Sequence, residues 1–393
     1  MTAPVAIQAL RQRSLAVGVA GLLACLAGAA IAPAGQFYRS WLFGFLFWIG
    51  VGIGCESVLM IQHLTGGLWG LTIRRILEAG SRTLLFAWIL FVPLALFGLP
   101  QVFVWANHAE LAADHHLEEL VKDKQLFLNV PFFLARAGFY FAVWAGLAHV
   151  LSKLSLQQDA GWTRKAARQM RGVAGGGLLL MGLTISFSAV DWAMSLDPRW
   201  FSHIYGVLFM VGQALSALAL SIVVLAALSG EEPLRRVAAP QTFHDLGKLM
   251  FAFVMLWAYV NFSQFLIMWS GNLPEETPFY LRRREGGWAA LSVLLVVAHF
   301  VLPFLLLLSR DIKRNARLLA TIAAGLLLMR VLDLYWLIGP ELHRGTRASH
   351  ALDLIALVAI GGLWVALFAW QLGAHPLLPL QDPELAEAIE GIH

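Results

Sequence analysis

Long apolar runs alternate with short polar segments along the 393 residues of this chain. A helix rises about 1.5 Å per residue, so it needs roughly 20 apolar residues to cross a bilayer core of about 30 Å. Runs of this length are typical of helices, which satisfy their own backbone hydrogen bonds in lipid. The qualifying runs are 14–33, 41–63, 83–105, 128–151, 173–196, 203–229, 246–270, 287–309, 318–338 and 351–373. We therefore predict an all-α polytopic membrane protein with about ten transmembrane helices.

The composition agrees with this prediction. Apolar residues make up 59% of the chain, charged residues only 13%, and the mean hydropathy is +0.71. The polar segments between the runs are too short to fold as separate domains. We predict one integral membrane domain over residues 1–393, in which 14–373 forms the ten-helix region and 1–13 and 374–393 lie outside it.

Arginine and lysine set the predicted orientation. Clusters at 74–82, 153–171 and 310–317 outnumber the basic residues on the other side, which include Arg344 and Arg347. Basic residues concentrate in cytoplasmic loops, so we predict that both termini lie in the cytoplasm. The pI near 9.2 then follows from membrane topology and gives no reason to expect a nucleic-acid partner.

Three segments near the predicted membrane surfaces need separate interpretation. The first run, preceded by Arg11 and Arg13, also fits a secretory signal peptide, although its length and the charge count favour a retained helix. The segment 66–78 mixes apolar and basic positions, so we expect an amphipathic helix along the cytoplasmic interface. On the outer side, the acidic loop 106–127 favours a short helix.

Asp191 is the most informative polar position, because it ends one long apolar run shortly before the next begins. A carboxylate near the middle of a membrane helix costs about 2.5–3.5 kcal/mol on insertion scales, and such residues usually face a bundle interior or a water-filled path. The neighbouring Trp192 and Trp200 fit an aromatic belt at the membrane surface. The run contains no base for Asp191. We predict a proton-handling role, with Asp191→Asn impairing coupling but leaving assembly intact.

Other charged positions lie within the predicted spans. Arg330 and Asp333 are three residues apart and share a helix face, so they are either a structural pair or part of a proton relay. Glu56 has no basic residue one turn away, so it is either neutral or paired across helices with Arg136. A functional role and a structural role are equally compatible with that position.

Histidines near and within the spans do not form a convincing haem pair. His63 and His244 lie near the inner ends, whereas His299 stands alone at mid-depth, where it either packs or shuttles protons. The chain has no haem attachment motif, iron–sulfur ligand set, phosphate loop or clustered metal ligands. We therefore predict no cofactor, no metal and no catalytic residue on this chain.

Four ordered segments resemble a known family. The string DWAMSLDPRWFS at 191–202, followed by Tyr205-Gly206, is similar to a signature of the membrane subunits of alternative complex III. These quinol:cytochrome c oxidoreductase subunits belong to the polysulfide-reductase membrane-anchor superfamily, and the likeness is to the second, F-type, subunit. The strings HLTGG at 63–67, NLPEET at 272–277 and DLYWL at 333–337 agree. The resemblance extends over nearly the whole chain and implies a location in the bacterial inner (cytoplasmic) membrane.

The resemblance implies two four-helix bundles with peripheral first and last helices. It also implies partners: a homologous ten-span sibling, an iron–sulfur protein and multihaem cytochrome c subunits, with lipid around them. The haem c and iron–sulfur clusters would belong to those partners, and quinol would be the substrate of the assembly. The F-type subunit would then contribute a proton path or a scaffold rather than redox centres.

Three sets of candidate residues follow. The proton-path hypothesis uses Asp191, Glu56, His299, Arg330, Asp333, His63 and His244. A weaker quinone-binding hypothesis uses Asp191, Trp192 and His203 at the outer face, and the loop containing Asn272, Glu275 and Glu276 is a docking surface for partners. The alternatives are an autonomous ion- or proton-coupled secondary transporter and a subunit that itself binds quinol.

Overall fold

The computed structural model describes residues 4–343 and 350–386. Within these ranges no strand occurs, and ten helices are long and apolar enough to cross a membrane. They are α1 (Val5–Ile31), α2 (Gln36–Thr65), α3 (Leu68–Val102), α4 (Val130–Ala160), α5 (Arg164–Trp192), α6 (Tyr205–Ala227), α7 (Pro240–Gly271), α8 (Gly286–Leu308), α9 (Ala316–Leu342) and α10 (His350–Gly373). The all-α polytopic prediction is confirmed, whereas Arg344 and Arg347 lie outside the described residues.

The helices pack as two four-helix groups. Helices α2–α5 contact one another and form the first bundle, and α6–α9 form the second. Helix α2 is also packed against α6 and α9, so it lies at the junction between the bundles. Helix α2 is enclosed by its neighbours, with 89% of the residues in an apolar 18-residue stretch buried inside the protein.

Helix α3 corrects the prediction of an interfacial helix at 66–78. Its first part, Leu68–Arg82, is buried from Gly70 onward and runs antiparallel to α2 inside the protein. A Cβ at Gly70 would meet the Gln62 side chain, and one at Gly80 would lie 2.5 Å from the Cys55 sulfur. The third span therefore begins at Leu68 rather than at 83, and its polar half faces other helices instead of the membrane surface.

Two of the membrane helices contain a π-helical turn. In α3, the turn Leu94–Gly98 follows Pro93, and in α8 the turn Leu295–Val301 precedes Pro303. Such turns insert one extra residue into the helical ladder and occur often at functional sites. His299 lies within the second turn.

The connecting segments lie at the two ends of the bundles. The basic end carries 161–163, 228–239 and residues 374–386 of the C-terminal segment. The opposite end carries 103–129, where two short helices, His108–Ala113 and His115–Asp123, stand in place of the single helix predicted there. It also carries 193–204 and 272–285, which hydrogen bonds join to one another and to 103–129.

The first and last membrane helices are packed together. Helix α1 is mostly exposed and lies against α10, with Gly18 and Gly21 facing Gly362 and Ala359. A Cβ at Gly18 would lie 2.6 Å from the backbone nitrogen of Leu363, so the two backbones are in direct contact. Helix α1 is peripheral, as expected, whereas α10 lies between α1 and α2 and is largely buried.

The contact between the bundles depends on Gly54 of α2. A Cβ at this position would lie 2.0 Å from the carbonyl oxygen of Gln213, a backbone atom of α6 that cannot rotate away. We expect Gly54→Ala to lower the free energy of unfolding by about 1–3 kcal/mol, because overpacking forces the helices apart. Thermal unfolding of the purified protein in detergent measures this.

The matched control is Gly176→Ala, since a Cβ there meets nothing within 4 Å. That change should leave stability unchanged or raise it by up to about 1 kcal/mol through helix propensity. Equal stability of the two variants would contradict the close α2–α6 contact.

Candidate functional site

Asp191, at the end of α5, is fully buried in a bidentate ion pair with Arg136 of α4. The Arg136 Nε donates to Oδ2 at 2.9 Å, and Nη2 donates to Oδ1 at 2.7 Å. Tyr140, one turn along α4, donates its hydroxyl to Oδ2 at 2.6 Å. Paired guanidinium and carboxylate groups hold geometry as well as charge. Asp191 therefore has a basic partner, Arg136, which lies on the neighbouring helix α4.

Arg136 is itself held on its other side by the chain just before α4. Its Nη2 also donates to the Phe127 carbonyl at 3.0 Å, and its guanidinium lies 3.8 Å from the centre of the Phe127 ring. Of the two alternatives for Glu56, this arrangement excludes pairing with Arg136 and leaves the neutral acid. Among the described residues, neither carboxyl oxygen of Glu56 has a hydrogen-bond partner, and the residue is fully buried on α2.

The residues around Asp191 correct the predicted aromatic belt. Trp192 is 2% exposed, and its ring lies among aromatic rings of α2, α3 and α4, including Phe45 and Phe141. Trp200 is 4% exposed and stacks on Phe279 with 4.3 Å between ring centres. Both tryptophans therefore pack inside the protein rather than at the membrane surface.

The three residues of the quinone-binding hypothesis are separated by this arrangement. Asp191 and Trp192 are adjacent and buried, whereas His203 is exposed and has its ring against Phe201. The structure thus brings together two of the three, with the Asp191 carboxylate already engaged by Arg136 and Tyr140.

A second buried cluster joins three helices of the other bundle. Arg330 and Asp333 of α9 form the predicted pair, and Trp257 of α7 donates its indole N–H to Asp333 Oδ2 at 3.2 Å. The His299 ring of α8 lies 4.0 Å from the Trp257 ring centre, and among the described residues neither of its nitrogens has a hydrogen-bond partner. His299 is therefore beside the ion pair but not bonded to it.

Gly212 of α6 makes room for Arg330. A Cβ at Gly212 would lie 1.9 Å from Nη2 of the guanidinium. The bare backbone of α6 therefore forms one wall of the pocket that holds the charged group. This close approach explains why a glycine stands in the middle of a helix, where it costs roughly 1 kcal/mol relative to alanine.

The two remaining histidines of the proton-path set lie toward the basic end. His63 is buried near Arg74 and lines a cavity of about 450 Å³ together with Gln62. His244 is half-buried beside Asp245, with 3.8 Å between its Nδ1 and the carboxylate. Among the described residues, no hydrogen bond or ion pair joins either histidine to Glu56, Asp191 or His299.

A third buried cluster was missed from the sequence. Glu78 of α3 is fully buried and accepts from Arg75 Nη1 at 2.6 Å and from Ser155 Oγ of α4 at 2.5 Å. Arg75 also pairs with Asp159, and Arg82 lies 3.8 Å from Glu78. Two guanidiniums and two carboxylates thus balance in the first bundle.

The sequence contains a pattern that indicates this cluster: polar residues recur at the same intervals on two consecutive helices. The polar residues Arg75, Glu78 and Arg82 on α3 recur at three and four residues, and Ser152, Ser155 and Asp159 repeat the same spacing on α4. Residues at these intervals share one helix face. Two polar stripes of equal period on consecutive helices indicate a buried contact between them.

The C-terminal segment covers this cluster at the basic end. Asp382 accepts from Arg74 Nη1 at 3.0 Å, and Leu378 and Leu385 are buried. Burial, with further repulsion from Arg82 and Arg75, lowers the pKa of His375. Residues 374–386 therefore fold onto the bundle instead of extending from it as a free tail.

The opposite end is closed by charged side chains. Arg282 donates to Asp197 at 2.7 Å, and Arg283, which is 1% exposed, pairs with Glu341 at 3.0 Å. Burial lowers the pKa of Arg283, and Glu341 opposes that effect. Burial likewise lowers the pKa of Lys124, whose ammonium donates to the Pro198 carbonyl at 2.7 Å.

The predicted docking loop lies beside this closed end. Asn272 ends α7 in the left-handed conformation, with φ of 47°, and is exposed. Glu275 is exposed and borders a cavity of about 570 Å³ that Asp197 and Arg282 also line. Glu276 is half-buried. The loop is accessible, as a docking surface requires, and its role in docking stays a prediction.

Comparison with models of known protein families and with curated proteins finds no match. The fold therefore defines the class: the described residues form an all-α polytopic membrane protein with ten helices long and apolar enough to span a bilayer. Its distinguishing feature is a set of charged clusters buried between helices, one on α4 and α5, one on α7–α9 and one on α3 and α4.

Proposed function

We propose that this chain is a non-redox membrane subunit of a quinol:cytochrome c oxidoreductase complex and that it contributes a proton path. The four sequence segments that resemble the F-type subunit of alternative complex III support the identity of the complex. The buried titratable side chains on facing helices support the proton path, because ionisable groups are rare within membrane spans and mark proton relays and ion pathways.

Glu56 carries the proposal. It is fully buried on α2, the helix that touches both bundles, and it has no hydrogen-bond partner among the described residues. An unpaired buried carboxylate is costly, whereas the neutral acid is tolerated. Glu56 can therefore take up and release a proton without breaking an ion pair, which Asp191 and Asp333 cannot do.

The other candidate residues are assigned by their position. His63 and His244 lie toward the basic end, where protons would enter or leave. The Asp191–Arg136 and Arg330–Asp333 ion pairs determine the electrostatic potential inside the two bundles. His299 is a second buried titratable group that has no hydrogen-bond partner among the described residues. The loop that contains Asn272, Glu275 and Glu276 would contact partner subunits at the end of the bundles opposite the basic end.

Partner composition tests the identity of the complex. The tagged chain is isolated from native bacterial inner membranes in mild detergent, and its partners are identified by haem absorbance and mass spectrometry. We expect a ten-span sibling, an iron–sulfur protein and multihaem cytochrome c subunits to co-purify, since the redox centres belong to those partners. A colourless, solitary protein would contradict the proposal.

Glu56→Gln tests the proton path. We expect at least about a tenfold loss of quinol-driven proton translocation in inverted vesicles, with an unchanged melting temperature, because the change removes a titratable proton but no hydrogen bond. Glu232→Gln is the matched control, since Glu232 is an exposed acid at the basic end. Normal translocation in Glu56→Gln would assign Glu56 to packing.

One observation favours the transporter alternative. Each bundle contains one helix with a π-helical turn, α3 in the first and α8 in the second. Secondary transporters place interrupted helices in corresponding positions of two halves, at the substrate site. Here the interrupted helices are the second of the first bundle and the third of the second, so only their presence in both halves supports this function. Uptake of a solute driven by a proton gradient, by the chain alone in proteoliposomes, would support this function over the complex.

A further inference from the structure

We propose that His343, His350 and Asp353 bind a divalent transition-metal ion of the zinc class at the opposite end of the bundles, where α9 ends and α10 begins. His343 Nε2 lies 2.9 Å from Asp353 Oδ2, and His350 Nδ1 lies 3.8 Å from the same oxygen. The three ligand atoms all lie within 4.8 Å of one another.

These distances suit a tetrahedral ion. Zinc binds histidine nitrogen and carboxylate oxygen at about 2.0–2.2 Å, which puts neighbouring ligand atoms roughly 3.3 Å apart. The two measured separations fall on either side of that value. Two imidazoles and one carboxylate are also a donor set that zinc prefers, and they leave a fourth position open.

The carboxylate is positioned from behind by buried polar groups of α2. Asp353 Oδ1 accepts from Ser40 Oγ at 2.6 Å and from Gln36 Nε2 at 3.4 Å, and Ser40 and Gln36 are fully buried. These bonds turn Oδ2 toward the histidines. Hydrogen bonds that orient a ligand are a regular part of metal sites.

Tyr335 supplies a fourth polar atom. Its hydroxyl lies 3.1 Å from Asp353 Oδ2 and 2.5 Å from His350 Nδ1. The hydroxyl can stay as a hydrogen-bond donor to the carboxylate or move into the open fourth position. In either arrangement His350 Nδ1 exchanges its contact with the hydroxyl for the metal.

The site also has a route for entry. The side chain of His350 is 66% exposed, whereas those of Asp353 and His343 are 4% and 7% exposed. An ion reaching the surface would meet His350 first and then the two buried ligands. Because the ligands come from the end of α9 and from α10, bound metal would fix α10 against the end of α9 in the second bundle.

The test measures metal binding directly and does not depend on the proposed respiratory function. The full chain, purified without a histidine tag and treated with a chelator, is titrated calorimetrically with Zn²⁺, and Co²⁺ is used as a spectroscopic probe. We expect one Zn²⁺ per chain and the visible absorption of tetrahedral Co²⁺.

Single-residue variants distinguish the metal ligands from the residues that only orient them. His350→Ala changes an exposed side chain and should weaken Zn²⁺ binding by more than about 100-fold, whereas Ser40→Ala should weaken it by about tenfold, as outer groups do. His203→Ala, an exposed histidine at the same end, should bind as the unmodified chain does. No Zn²⁺ binding by the unmodified chain, or unchanged binding in a folded His350→Ala variant, would overturn the proposal.

Discussion

Replacing Asp191 with asparagine is expected to lower the free energy of unfolding by about 3–5 kcal/mol. The substitution leaves the Arg136 guanidinium buried without its counter-charge, and removing one partner of a buried pair has a cost of this size. The sequence alone suggested that this variant would assemble normally; the ion pair makes a folding defect the expected result. Thermal unfolding in detergent and the yield from membranes measure it.

The double variant Asp191→Leu with Arg136→Met is the control. Removing both charges leaves no unpaired charge, so it should recover part of the lost stability, since apolar replacement of a buried pair is often neutral. The remaining loss comes from the Tyr140 hydroxyl and the Phe127 carbonyl, which lose their hydrogen bonds to the pair. A single Asp191→Asn variant that melts as the unmodified chain does would contradict a structural role for the pair. Asp191 would then be a candidate for the proton path alone.

Glu78→Gln is expected to have an effect of similar size. Glu78 is fully buried between Arg75 and Arg82, and its loss leaves two guanidiniums facing one remaining carboxylate, Asp159. Removing one buried charge from a balanced set costs about 3–5 kcal/mol. The melting temperature of the purified chain should fall accordingly.

Asp159→Asn makes a matched comparison, because it removes the same charge from the same partner. The Asp159 side chain is 21% exposed, whereas that of Glu78 is not exposed, and Arg75 keeps its buried counter-charge Glu78 in this variant. We expect a smaller loss than for Glu78→Gln, because the charge removed is partly solvated and the buried charge stays. Equal losses in the two variants would show that burial is not what makes Glu78 important.

The number of helices could be predicted from sequence because lipid imposes a minimum apolar length. The residue at which α3 begins could not be predicted, since Leu68–Arg82 mixes apolar and charged residues and yet lies inside the protein. A hydropathy pattern distinguishes apolar from polar, but it does not distinguish water from a polar surface on a neighbouring helix. For the same reason, Trp192 was assigned to the lipid surface although it belongs to the core.

The candidate residues were predictable as single positions but not as partners. Arg330 and Asp333 were paired correctly because both lie on one helix and helical spacing fixes their geometry. Asp191 and Arg136 lie 55 residues apart on different helices, and nothing local in the sequence indicates which cross-helix base an acid meets. For that reason the sequence left open whether Glu56 is neutral or paired with Arg136, and only the structure excludes the pairing.

The direct backbone contact between α1 and α10 has a consequence for biosynthesis. A ribosome adds roughly 5–20 residues per second, so the approximately 340 residues that separate Gly18 from Ala359 take about 20–70 s to synthesise. During that time α1 is in the bilayer without its docking partner, because helices in lipid associate only through packing with specific neighbours. Its glycine face is open throughout this interval, and a competing helix with small residues could occupy it before α10 arrives.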